Sequence, residues 1–197
     1  MNCDYGFEVG LRRLVSDKDC DQLFLWRNHP DIYAWTRQNG KISYEQHRKW
    51  FNRQFSDESM RMLGITNKSE ALVGVTGLTG INEVHGYAEF SLYIGPEYQK
   101  QGLGLKALKS IVAYGFSAKG FYLDCIWGES LDGNPAQAMF LKAGLVHRGI
   151  VPGKYLKEDI HGCYHRLDAH IWSINSTDPI LSPHAPHHDP ETKISGT

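Results

Sequence analysis

No apolar run in the chain approaches the roughly 18 residues that a membrane-spanning helix needs. Net charge is also nearly absent, with 21 Lys and Arg against 22 Asp and Glu. A nucleic-acid-binding domain usually presents a strongly basic face, so neither membrane nor nucleic acid is an expected partner. The four cysteines, Cys3, Cys20, Cys125 and Cys163, show no paired spacing. They exclude a disulfide framework and read as reduced thiols of a cytoplasmic protein. The opening Met1-Asn2-Cys3-Asp4 has neither a basic region nor an apolar run, so no secretory leader is expected. No internal repeat is visible.

What is there suffices for a core. Of 197 residues, 41% are hydrophobic and 12% aromatic, which excludes wholesale disorder and fits one domain. The distribution is uneven. Residues 175–197 hold four of the eight prolines, no aromatic residue, and one Lys against three acids. They read as a flexible polar tail of charge −2 containing His184, His187 and His188. The folded domain is expected over 1–174, with a balance of +1.

Along that body, alternation predicts a strand over 7–14. Ser16 with Asp19 and Ser43 with Gln46 are capping-box pairs. They predict a helix through Cys20, Leu23, Phe24 and Trp26, and a second over about 44–55. Between them, His29-Pro30 breaks the first helix and 32–35 forms a short helical or turn segment. Strands are expected over 60–66 and 72–81, joined by the turn-forming 67–70. In the strand 87–94, Ala88, Phe90, Leu92 and Ile94 share one face; Tyr87, Glu89, Ser91 and Tyr93 share the other. Helical spacing follows over 103–118, then a strand over 122–127, a short helix over 135–143, and a last strand over 163–174. This order predicts a mixed α/β sheet flanked by helices, not a Rossmann alternation.

The chemically informative stretch is Gln99-Lys100-Gln101-Gly102-Leu103-Gly104, after a strand and opening a helix. Its glycines permit a tight turn that brings consecutive N–H groups to the positive end of a helix dipole, a cradle for pyrophosphate. An ordinary glycine-rich turn has the same appearance. Gly102, Gly104 and Ala107 also satisfy a relaxed dinucleotide fingerprint, with Asp124 about 20 residues on. Against NAD, too few residues follow for further βαβ units, and the strand continues past Asp124.

The run Ile94-Gly95-Pro96-Glu97-Tyr98-Gln99-Lys100-Gln101-Gly102-Leu103-Gly104 closely resembles the acyl-CoA signature of the GNAT N-acetyltransferases. A second family block resembles Asn134 to Leu145, in the right order. The resemblance implies the GNAT fold: a mixed, mostly antiparallel sheet whose splayed strands hold acyl-CoA. It implies acetyl-CoA as co-substrate, with no metal. The backbone of Leu92 and Ile94 would pair with pantetheine by β-augmentation. The amides of Gln101, Gly102, Leu103 and Gly104 would hold the pyrophosphate beside Gln99 and Lys100. Asn134 and Phe140 would line the pantetheine arm. Counted back from Gly144, the family's Asn falls on Gly133, so Asn134 matches with a loop one residue shorter. The family's frequent proton-donating Tyr falls on Phe140, which has no proton to give. Water, Tyr93 or Tyr155 would then protonate the leaving thiolate. Glu89, on a face with Ser91 and Tyr93, is the implied base; its plain alternative is a carboxylate paired with a neighbouring Lys or Arg.

The N-terminal third resembles acetyltransferases acting on the 4-amino group of nucleotide-linked deoxy-sugars, the branch of pseudaminic acid biosynthesis. It carries Leu25-Trp26-Arg27-Asn28, then Trp35, then Ile42-Ser43 with Glu45, His47 and Trp50. Arg27 offers a fork for diphosphate and Trp26 or Trp35 a stacking face, with Asn28 and Tyr155 beside them. Each also has a structural reading, the tryptophans as core anchors and Arg27 as a surface ion pair. The same Trp-Arg-Asn pattern resembles ribosomal-protein N-terminal acetyltransferases, so a protein α-amine is the alternative acceptor. A non-catalytic acyl-CoA-binding domain is a third reading, motivated by Phe140. The expected partner is a small-molecule amine such as a UDP-amino-sugar, and a homodimer is compatible. Finally, His161, Cys163 and His165 alternate on the last expected strand and would share a face, as a zinc site needs, but lack a recognisable fourth ligand.

Overall fold

The computed structural model describes residues 9–158 and 161–178. Phe7, Cys3, the tail histidines and most of the expected tail therefore lie outside the described residues.

The chain runs β1 (Gly10–Arg13), α1 (Asp17–Arg27), α2 (Pro30–Tyr33), α3 (Tyr44–Arg53), β2 (Met60–Thr66), β3 (Leu72–Asn82) and β4 (Tyr87–Ile94). It continues with α4 (Leu103–Phe116), β5 (Cys125–Leu131), α5 (Gln137–Lys142), β6 (Val146–Glu158) and β7 (Tyr164–Asn175). The seven strands form one sheet in the order β1-β2-β3-β4-β5-β7-β6. Every neighbouring pair is antiparallel except β4 and β5, which are parallel. That parallel pairing covers only Tyr87↔Cys125, Ala88↔Ile126 and Glu89↔Trp127. Beyond it β4 continues to Ile94 and β5 to Leu131, so the sheet splays open from Glu89 onward.

Each sheet face is covered. On one, Leu108, Ile111 and Val112 of α4 pack on Leu78, Ala88, Phe90 and Ile126, with Phe140 and Trp172 closing the cluster. On the other, Leu23 and Trp26 of α1 and Phe51 of α3 cover Met60, Met62 and Val75. The alternation along β4 is thus realised, with Ala88 and Phe90 toward α4 and Tyr93 toward α1.

Both expected capping boxes form, at Ser16/Asp19 and Ser43/Gln46. The first is reinforced from β1, since Arg12 donates to the two carboxylate oxygens of Asp19 at 2.9 and 2.7 Å. Burial pushes the Asp19 carboxyl up, but Arg12 and the amides of Val15 and Ser16 outweigh it and hold it below the usual range. A carboxyl lowered in the folded state stabilises above its unfolded value, about 3.9 for Asp, and that contribution vanishes as pH falls through the folded value. Asp19→Asn is therefore expected to cost about 1–2 kcal/mol at pH 7. In urea titrations, the gap between wild type and variant should close toward pH 2.

Three expectations need correction. The strand expected over 122–127 is β5, which starts at Cys125 and runs on to Leu131. Tyr122 has φ +51°, and Leu123 and Asp124 bond to Gly115 and Gly86 in a loop. Its apolar residues are anchored without being in a strand. The second missed element is β6, a 13-residue strand interrupted by Gly149, Pro152 and Gly153. It is an edge strand with register shifts at 147/149 and 151/155, where proline and glycine are tolerated. Finally, β7 begins at Tyr164, which puts His161 and Cys163 in the preceding turn and breaks the alternation expected with His165. Among the described residues, no group of three His, Cys, Asp or Glu side chains could hold a metal ion.

Candidate active site

The splay opens into a cleft of about 1010 Å³ that runs from the start of α4 to the segment after α2. One end is lined by Leu92 and Ile94 of β4, then by Gln99, Lys100, Gly102, Leu103 and Gly104. Past Glu89 the β4 backbone has no strand partner on the β5 side among the described residues, which leaves an edge that an extended ligand can complete. The loop after it is held by Gln99, whose Nε2 donates to the Ile94 carbonyl at 3.2 Å. Gln101 turns outward, donating to the Glu97 carbonyl at 3.4 Å, and does not line the cleft.

Gly102 is the N-cap of α4 at φ +76°, a conformation that glycine adopts without cost. No side chain caps this helix, and its first turn carries no acid. A Cβ built on Gly102 meets nothing within 4 Å, so the space before the helix is open. At Gly104 the constraint is packing, because a Cβ there would come within 2.9 Å of Met139 Sδ on α5. The amides of a 14-residue helix thus face an open, uncapped approach, the arrangement that binds phosphate. These residues fit the diphosphate and pantetheine of acyl-CoA.

The second block lies opposite. Asn134 precedes α5, and its Oδ1 accepts the Ala136 N–H at 2.9 Å while the residue lines the cleft. Phe140 is 5% exposed and meets Phe90 and Trp172 edge-on, with ring centroids 5.2 and 5.6 Å away. The phenylalanine that stands where the family often has tyrosine is therefore a core anchor with one edge on the cleft.

The other end of the cleft is charged. Glu89 sits at the last paired position before the splay, half-buried, with Oε1 2.7 Å from Arg37 Nη1. Ser91 lines the cleft two residues on. Tyr93 also lines it, but its hydroxyl donates to the Leu23 carbonyl at 3.4 Å. Burial pushes that phenol far above its ordinary value. Tyr155 lies beside the cleft, donating its hydroxyl to Glu129, whose other oxygen is bound by Lys154. Burial and then Glu129 raise the Tyr155 phenol. Glu129 itself lines the cleft; its side chain is 4% exposed.

Arg27 and Trp35 line this end, as their placement in the N-terminal third suggests. Asn28 does not. Its side chain is spent on both backbone groups of Ile42, accepting the N–H at 2.9 Å and donating to the carbonyl at 3.0 Å. Trp26 is likewise a buried anchor, with Nε1 on Glu97 at 3.1 Å. Arg27 forms no ion pair among the described residues; it donates to Gln38 Oε1, and burial followed by the nearby Arg37 charge lowers its pKa.

Three residues of this end went unread in the sequence. Arg37 belongs to no motif. Glu129 would have been found by extending β5 two residues past Trp127, the partner of Glu89. Lys157 lies on the unexpected β6.

Residues 8–146 match the family described as Acetyltransferase (GNAT) domain. A spermidine N(1)-acetyltransferase of Escherichia coli K12 is 36% identical over 72 residues, 36% of this chain and 38% of that protein. The acetyltransferase PseH of Campylobacter jejuni (strain 81-176) is 26% identical over 102 residues, 52% of this chain and 61% of its own. The chain thus spans between about two fifths and three fifths of these curated relatives. In fold it resembles the Vibrio cholerae spermidine N-acetyltransferase solved with CoA and spermine, with a TM-score of 0.77 at 22% identity. That superposition covers 89% of this chain and 99% of the other. With its splayed β4 and β5, its open helix start and a family match over most of its length, the chain belongs to the GNAT acetyltransferase family.

Proposed function

We propose that the protein is an acetyl-CoA-dependent N-acetyltransferase that transfers the acetyl group directly to a primary amine in a ternary complex. The acceptor is an amino group of a nucleotide-linked deoxy-sugar. The observation that carries the acceptor class is the guanidinium of Arg27 in the wall opposite the CoA end. Arg27 lines the cleft with no carboxylate partner among the described residues, whereas Arg37 is paired with Glu89 and also faces Glu129. A half-buried guanidinium with unused donors favours a phosphate and repels a polycation. Trp35, 37% exposed on the cleft, gives a base or sugar ring a face to stack on.

Acetyl-CoA supplies an activated acetyl group; the protein's residues hold and orient it and move the protons. Gln99, Lys100 and the amides 101–104 hold the diphosphate, and β4 from Leu92 to Ile94 receives the pantetheine. Glu89, at the mouth of the splay, takes a proton from the acceptor ammonium, through water, so that the neutral nitrogen can attack. The thiolate that leaves receives its proton from water, since Phe140 has none and the Tyr93 and Tyr155 hydroxyls are committed to Leu23 and Glu129. Orientation of amine against thioester between the two strands supplies much of the rate.

A polyamine acceptor is the second reading. Two relatives in sequence and fold bear spermidine acetyltransferase names, and the carboxylates Asp31, Glu89 and Glu129 line the cleft. Release of CoA measured against a UDP-linked 4-amino-4,6-dideoxy sugar, spermidine and a peptide α-amine separates the readings. The sugar nucleotide is expected to give the highest kcat/KM. Preference for spermidine would replace the acceptor, and acetyl-CoA binding without turnover on any amine would mark a binding domain. Arg27→Gln should raise KM for the sugar nucleotide by about 10- to 100-fold, the value of a lost charged hydrogen bond. KM for acetyl-CoA should stay unchanged.

A further inference from the structure

Between α2 and α3 the chain has no regular element over 34–43, yet this stretch carries Trp35, Arg37 and Gln38 into the cleft. Its shape therefore depends on ties from outside. The strongest comes from far along the sequence. Lys157, near the end of β6, is 7% exposed, and its ammonium donates to three backbone carbonyls, two in this segment and one at the end of α2. They are Gln38 at 2.6 Å, Thr36 at 3.0 Å and Tyr33 at 3.4 Å. A lysine has three N–H donors, and all three are spent here. The ammonium also lies 4.8 Å from the centroid of the Tyr33 ring. The next residue adds a tie, because the Glu158 N–H donates to Asn39 Oδ1 at 3.2 Å.

What is held in this way is the acceptor wall. Arg37 reaches Glu89, and Gln38 accepts from Arg27, so one tie to the backbone and one to the Asn39 side chain fix the partners of both charged groups. Packing alone would not call for a lysine. Burying an ammonium is costly unless it is paired or fully hydrogen-bonded, and an apolar side chain of similar volume would fill the same space. The charge is needed to gather the Thr36 and Gln38 carbonyls of the irregular segment together with that of Tyr33, which Thr36 also bonds.

We propose that Lys157 is a positioning residue for acceptor recognition, holding 33–39 so that Arg37 and Gln38 set the places of Glu89 and Arg27. This rests on the acetyl-transfer reading above. Lys157→Met keeps length and removes the donors. Asn39→Ala removes the second tie at an exposed position and leaves the core intact.

With a UDP-linked 4-amino-4,6-dideoxy sugar as the probe, Lys157→Met should raise acceptor KM by at least about tenfold while acetyl-CoA KM changes less than about twofold. Amide hydrogen exchange should accelerate within 33–39 and stay unchanged in α4. Asn39→Ala should show the same pattern at about threefold. The proposal is overturned if acceptor KM and exchange are unaltered, or if both KM values rise together as in general destabilisation. Should Lys157→Met fail to fold, the Asn39→Ala pattern decides. If the wild type binds acetyl-CoA but acetylates no such sugar, the acceptor reading fails, and the exchange comparison still decides the role of Lys157.

Discussion

Gly102→Glu is expected to weaken acetyl-CoA binding by at least about 100-fold, the largest effect of any single change considered. The fold should survive it. A side chain at Gly102 projects into open space, so the cost to stability is the left-handed backbone alone, about 1–2 kcal/mol for a residue other than glycine. Binding has no such tolerance. The carboxylate would stand at the uncapped start of α4, where the amides await phosphate, and would both occupy that space and repel the ligand. Gly102→Ala separates the two contributions, because it carries the backbone strain without the charge and should retain most of the affinity. Calorimetric titration of acetyl-CoA into both variants reads the difference. Affinity for Gly102→Glu within a few-fold of wild type would remove the helix start as the diphosphate site.

Glu89→Gln should lower kcat by about 100-fold, within the range that loss of a general base produces. The substitution is nearly isosteric and leaves β4 in register with β3 and β5, so loss of activity would not reflect loss of fold. Two consequences add. The proton acceptor disappears, and Arg37 loses the carboxylate 2.7 Å away that balances it. The pH dependence separates them. If Glu89 takes the proton, the acidic limb of the kcat/KM profile vanishes in the variant. If it only holds Arg37, the limb keeps its position and acceptor KM rises instead.

The legible parts of this molecule are those whose physics is local. Ser16 and Ser43 cap their helices through residues three positions away, and both boxes are visible in four letters of sequence. The proposed CoA end is similar: strand, glycine turn and helix start follow one another within 92–104, and the chain presents them in order. The proposed acceptor end is assembled differently. Arg37, Glu129 and Lys157 come from an irregular segment, a strand read too short and a strand not read at all. Sheet pairing through β7 brings Glu129 and β6 together, and the Lys157 ties bring in the segment that carries Arg37. Asn28 shows the converse, since a residue in a suggestive motif spends its whole amide on Ile42. β6 escaped notice because an edge strand is free to carry the proline and glycines that elsewhere argue against one.

The ties from Lys157 join positions 119 to 124 residues apart. Contacts of that separation carry a large loop-closure cost and are among the last rewarded as a chain organises. During synthesis, the residues of the proposed diphosphate cradle have all emerged with α4, whereas the segment 33–39 must wait for the far end of β6 for its ties. A nascent chain ending before residue 157 would therefore contain every residue proposed to meet the diphosphate while the segment that carries Arg37 and Gln38 still lacked its ties.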